Sequence, residues 1–128
     1  MKYRIKQETK PTLATYGKYK AVALHPFTYD SREIIEEVCK HSPYDKGVVI
    51  AVLNKLSQVV TRHLRNGDKV RLQDFGLMKL EIESDKVNTP KAFKPRKHIR
   101  GVRLHFIPES CNGKQELYQG IKFVKEKP

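Results

Sequence analysis

Cysteine is scarce in this chain: only Cys39 and Cys111 occur among 128 residues, far apart and outside any Cys-rich spacing. A disulfide framework is therefore excluded as the organising principle, and reduced thiols are expected. Long hydrophobic runs are missing as well. The longest uncharged apolar stretch, Gly47 to Leu53, falls far short of the ~20 residues that a bilayer-crossing helix needs. Residues Met1 to Glu8 alternate charge with single apolar side chains and build no signal-peptide core, so a cytoplasmic location is expected. Metal-ligand spacing is absent too: His25, His41, His63, His98 and His105 form no His-x-x-His or His-x-x-x-His pair, and Cys39-Lys40-His41 has no second ligand pair. Nor is there a glycine-rich phosphate loop, since Asn66-Gly67-Asp68-Lys69 reads as a helix end. Nothing points to catalysis or to a cofactor, and neither is expected.

What the chain has in excess is positive charge, 26 Lys and Arg against 14 Asp and Glu, for a formal net charge of +12. The excess is segregated. From Lys86 to Pro108 there are seven basic residues and no acid, and a second cluster gathers Lys2, Arg4, Lys6, Lys10, Lys18 and Lys20 around Glu8 alone. The stretch Asp30 to His41 is acidic by contrast. Segregation of this kind suits a phosphate-binding face better than a solvated loop, because Arg100 and Arg103 lie inside an alternating strand pattern. Glu81, Glu83 and Asp85 share one strand face. They read as solvated carboxylates available to the neighbouring basic strand rather than as a Mg²⁺ site. With 38% hydrophobic residues, the length fits one compact domain with a real core.

The periodicities predict an α+β order. Tyr3, Ile5 and Gln7 alternate with basic residues, and Tyr19 to Leu24 repeats the pattern beyond Pro11 and Gly17, which predicts an N-terminal β-hairpin. Asp30 with Glu33 three residues on marks a helix start, and Ser42-Pro43-Tyr44-Asp45 marks another. The second helix carries Val49, Val52, Leu53, Leu56, Val59, Val60, His63 and Leu64 at three- and four-residue spacing, a stripe expected to be buried. Val70, Leu72, Met78, Leu80 and Ile82 share a parity around a tight turn at Asp74-Phe75-Gly76. Ile99, Val102, Leu104 and Phe106 continue a meander, with a bulge expected at Gly101. A short helix over Lys114 to Gln119 and a last strand over Ile121 to Val124 complete the order. Pro90, midway between the long strands, is expected near the tip of a protruding ribbon. Two readings stand there: an ordinary turn proline, or an apolar ring flanked by Lys86, Lys91 and Lys94 that enters a base step.

Residues 66–76, Asn-Gly-Asp-Lys-Val-Arg-Leu-Gln-Asp-Phe-Gly, resemble the Gly-x-x-Val-x-Leu-x-x-Phe-Gly segment of the bacterial HU and integration host factor family. The likeness extends from about Thr28, through Pro90, to the run Gly101-Val102-Arg103-Leu104-His105-Phe106. The flanking additions resemble an HU-related subgroup with an N-terminal hairpin. The resemblance implies an HU-like fold: two helices under a β-meander with a long basic arm, in an intertwined homodimer. Residues 1–27 then form a hairpin extension, 28–117 the DNA-binding domain and 118–128 a terminal strand and tail. It implies a nucleoid-associated, histone-like protein that binds and bends double-stranded DNA with little sequence preference, through arms in the minor groove. DNA contacts are expected from Arg71, Lys86, Pro90, Lys91, Lys94, Arg96, Lys97, Arg100 and Arg103. The dimer core is expected from Val52, Leu56, Val59, Phe75, Val102, Leu104 and Phe106. This sequence departs from the family in its tip, Asn88-Thr89-Pro90 rather than Arg-Asn-Pro, in its acidic ascending strand, and in extra residues after Phe106. The rival expectation is an HU-fold module that uses that acidic strand to bind protein. RNA recognition is less expected, because no paired aromatics on adjacent strands offer a stacking platform.

Overall fold

A computed structural model describes residues 1–111 and 114–127. It contains two compact units, Met1–Glu37 with Gly120–Pro128, and Val38–Gln119. In the first, strands β1 (Lys2–Gln7) and β2 (Tyr19–Ala23) pair antiparallel, and β8 (Val124–Lys125) joins β1 on its other edge in parallel. The two chain ends thus form one three-stranded sheet in the order β2-β1-β8. The expected terminal strand is shorter and later than the periodicity implied. Ile121 to Phe123 have no regular structure, and only Val124 and Lys125 enter the ladder.

Helix α1 (Ser31–Lys40) begins with a complete capping box. The Asp30 carboxylate accepts from the amides of Arg32 and Glu33, and the Glu33 carboxylate accepts from the amide of Asp30. Donors that a helix start would leave unpaired are thereby satisfied.

Helix α2 runs Lys46–Arg65, so it starts later than Ser42-Pro43 implied. The Ser42 hydroxyl accepts from the Tyr44 amide two residues on, which holds a bend before the helix, and Asp45 occupies the N-cap without a side-chain bond. Its C-terminus is closed by two reverse bonds, Gly67 N–H to Leu64 O and Asp68 N–H to His63 O, with Gly67 at φ 89°. This is the pattern that glycine after a helix makes favourable.

A second sheet, ordered β3-β4-β5, follows: β3 (Val70–Leu72), β4 (Gly76–Ser84) and β5 (Ile99–Pro108). Asp74 takes a left-handed φ of 62° in the β3–β4 turn. Gly76 is required by close approach, since a Cβ there would lie 2.5 Å from the Ile107 carbonyl oxygen and 2.7 Å from the Phe106 ring. The Phe75 and Phe106 rings lie 4.9 Å apart beside it. The ladder register puts Val70, Leu72, Met78, Leu80, Ile82, Val102, Leu104 and Phe106 on one face and Lys79, Glu81, Glu83, Arg103 and His105 on the other. Helix α2 packs against β3 and β4. After β5, β6 (Ser110–Cys111) pairs with β7 (Lys114–Gln115), and Glu116–Tyr118 makes one 3₁₀ turn, where a helix from Lys114 to Gln119 was expected. Cys39 is a free thiol, while the thiol of Cys111 lies outside the described atoms.

Within the single chain the apolar stripe of α2 is not covered along its length. Val49 is 9% exposed, and Val59, Val60 and Leu64 are half-buried, but Val52, Leu53 and Leu56 stand open. Ile35 is the other buried large apolar side chain among the described residues. On the second sheet, Ile82 and Val102 are 64% and 62% exposed, and Leu104 and Phe75 are open too.

Candidate nucleic-acid interface

The β4–β5 ladder ends at Ser84 opposite Ile99. One extra residue, Arg100, bulges out of β5 between Glu83/Gly101 and Ser84/Ile99. The irregularity expected at Gly101 therefore lies one residue earlier. Beyond the ladder the chain does not continue as a β-ribbon to a tip at Pro90. The amide of Asp85 donates to the His98 carbonyl, which closes the strand pair, and the intervening segment folds locally.

Two X-Pro steps build that segment. Thr89 caps a 3₁₀ turn at Pro90–Ala92, its hydroxyl accepting from the Ala92 amide at 3.3 Å, with Pro90 in the first helical position. Pro95 opens a one-turn helix, α3 (Pro95–His98). Proline suits both places because its ring presets φ and the missing N–H would be unpaired there anyway. His98 ties the two turns together. Its Nδ1 accepts from the Lys94 amide at 2.9 Å, and its ring lies 5.5 Å from that of Phe93. His98, flanked in sequence by basic residues, serves as a brace. The signal that could have shown this was Thr89-Pro90 and Lys94-Pro95 read as two helix starts.

The expected DNA-contacting residues divide into two groups. Arg100 pairs with Asp85 at 2.6 Å, Arg103 with Glu81 at 3.1 Å, and Arg71 with Glu109 at 3.9 Å. Glu81 is the hub of the polar sheet face, with Lys79 at 3.6 Å and His105 Nδ1 at 3.7 Å as further neighbours. The hydrogen bond from Arg103 holds its carboxyl below the usual range, and the nearby His105 and Lys79 act in the same direction. The ascending acids are thus largely engaged by the basic strand across the ladder. The second group is Lys86, Lys91, Lys94, Arg96 and Lys97. All are exposed, all lie on the 85–98 segment, and none makes an ion pair among the described residues. Pro90 is exposed in their midst.

Among the described residues, no group of three or more His, Cys, Asp or Glu side chains is placed to hold a metal. No helix among them is long and apolar enough to cross a membrane.

No curated protein matches the chain. Among solved structures, a crystal structure from Bacteroides vulgatus ATCC 8482, of a protein provisionally described as a bacterial DNA-binding protein, is similar with a TM-score of 0.58 and 12% identity. The likeness covers 99% of this chain and 50% of that one, so this chain spans half the length of that relative, and at such identity it speaks to fold alone. The family model HU-HIG, described as an HU domain fused to wHTH, Ig or glycine-rich motif, matches residues 1–123. Two helices followed by a three-stranded meander with a basic connection between β4 and β5, together with that match over nearly the whole length, place the chain in the HU-HIG family.

Proposed function

We propose that this protein binds double-stranded DNA with little sequence preference, as a nucleoid-associated architectural protein of the cytoplasm, and that it does so as a homodimer. The observation that carries the reading is the group of five exposed cations on the 85–98 segment that have no carboxylate partner among the described residues. Lys91, Lys94, Arg96 and Lys97 sit on the two braced turns, and all five cations are open to phosphates, whereas Arg71, Arg100 and Arg103 must first exchange a carboxylate for a phosphate. Binding by backbone contacts gives affinity without sequence information, because the phosphate pattern is the same on every duplex. Bending of the duplex, with the exposed ring of Pro90 entering a base step, belongs to the same proposal.

The rival reading, a module that binds protein through its acidic strand, is weakened by the pairing of Glu81 and Asp85 with Arg103 and Arg100.

A salt titration of duplex binding tests the proposal. Affinity should fall steeply and linearly on logarithmic axes, and Lys94→Ala should flatten that slope by about 0.9, alike on unrelated sequences. A salt-independent interaction, or none with duplex at low salt, would remove it.

A further inference from the structure

The three-stranded sheet of the chain ends has two unlike faces. Alternation along β1 and the register with β2 place Tyr3, Ile5, Ala21 and Ala23 on one side, where they line a shallow apolar groove with Met1 and Phe123. The other side carries Lys2, Arg4, Lys6 and Lys20, all exposed, with Val22 beside Arg4 and Val124 beside Lys2. Lys6 and Lys20 are direct cross-strand partners. Like charges in that position repel each other and weaken the pair. On the polar face of the β4–β5 sheet the cations are met by Glu81 and Asp85; on this face none of the four has an ion-pair partner among the described residues. Glu8, the acid nearest in sequence, directs its Oε1 to the Lys10 amide.

We propose that this Lys2, Arg4, Lys6 and Lys20 face is a second phosphate-binding surface, separate from the β4–β5 segment, whose ligand is the backbone of a nucleic acid. The inference rests on the DNA-binding reading for the identity of the ligand. Alternate residues of a strand recur every ~6.8 Å, so Lys2, Arg4 and Lys6 form a regular row of cations along β1 that can track a phosphate backbone, and an anion between Lys6 and Lys20 turns their repulsion into attraction. The DNA-binding reading of the 85–98 segment favours a nucleic acid over an anionic membrane, the other phosphate-bearing surface, and the vesicle measurement below separates the two.

The experiment compares the salt dependence of duplex binding for the full chain and three variants: Lys6→Gln/Lys20→Gln, Lys91→Gln/Lys94→Gln on the arm, and Lys125→Gln/Lys127→Gln as a charge-matched control. The first variant should flatten the logarithmic slope by about 1.8, at 0.9 for each lost phosphate contact. The control should leave the slope in place. Thermal unfolding should show the first variant at least as stable as wild type, because it loses a like-charge pair. An unchanged slope in the first variant, or an equal flattening in the control, overturns this inference while leaving the arm reading intact. Flattening by the first variant with no effect of the arm variant supports it and removes the arm instead. Binding of wild type to phosphatidylserine vesicles but not to duplex overturns both.

Discussion

At the residue scale, Glu81 is the carboxylate that most limits the positive potential of the second sheet. It takes a hydrogen bond from Arg103 at 3.1 Å and has Lys79 and His105 within 4 Å. Removing its charge frees Arg103 without shortening any cation's reach. Glu81→Gln should therefore tighten duplex binding and steepen its salt dependence, the reverse of the arm lysine changes. The same pair gives a pH signature. The Glu81 carboxyl is held below its ordinary value of 4.5 chiefly by the Arg103 hydrogen bond, so its contribution to stability is present above that ordinary value and is lost as pH falls through the lower folded-state value. Wild type should exceed Glu81→Gln in melting temperature at neutral pH, and the gap should close on acidification below 4.5. A gap that stayed constant through that range would show that the ion pair does not stabilise the fold.

At the scale of the element, the β4–β5 connection is a folded cap rather than a bare hairpin tip. Thr89 and Pro90 start one turn, Pro95 starts the next, and His98 fastens the second to the Lys94 amide. Pro90 contributes a preset φ and a carbonyl that accepts from the Phe93 amide, and alanine keeps that acceptor. The Thr89 cap to Ala92 does not depend on the ring, so Pro90→Ala should keep the segment folded. If the ring enters a base step, it offsets an unstacking cost of a few kcal/mol, and its loss should relax the DNA bend while the cations retain most of the affinity. Energy transfer between dyes at the ends of a duplex, at saturating protein, measures the bend. An unchanged angle would leave Pro90 as a turn residue and assign any bending to phosphate neutralisation by Lys91, Lys94, Arg96 and Lys97.

For the whole molecule, the distribution of apolar surface is the leading observation. Helix α2 exposes Val52, Leu53 and Leu56, and the sheet and its β3–β4 turn expose Phe75, Ile82, Val102 and Leu104. Full burial of one such side chain stabilises by roughly 1.5–3 kcal/mol, so covering these seven from their present exposure supplies on the order of 10 kcal/mol before the cost of association. In the proposed homodimer a second copy would offer the same stripe across a two-fold axis. Sedimentation should find a dimer at micromolar concentration, and Val102→Asp with Leu104→Asp should shift it to monomer while weakening DNA binding, since one arm then acts alone. A wild-type monomer at that concentration would remove both the dimer and the two-armed reading.

Local signals determined much of this protein. Alternation set β1, β2, β4 and β5 and the apolar parity of the second sheet. Asp30 with Glu33 announced α1, Asn66-Gly67 ended α2, and the three- and four-residue spacing of α2 named its apolar face. Each of these depends on neighbours within a few positions, where backbone geometry translates directly into sequence period. Other features required the folded chain. Lateral register brought Arg103 to Glu81 and the bulge brought Arg100 to Asp85, so two residues that looked like free phosphate contacts are partnered. The fold also set Lys6 against Lys20 and added β8 beside β1. Strand alternation says which face a side chain takes, but only pairing across the ladder says what stands opposite it. For a charged residue, the partner decides whether its charge is spent within the protein or offered to a ligand.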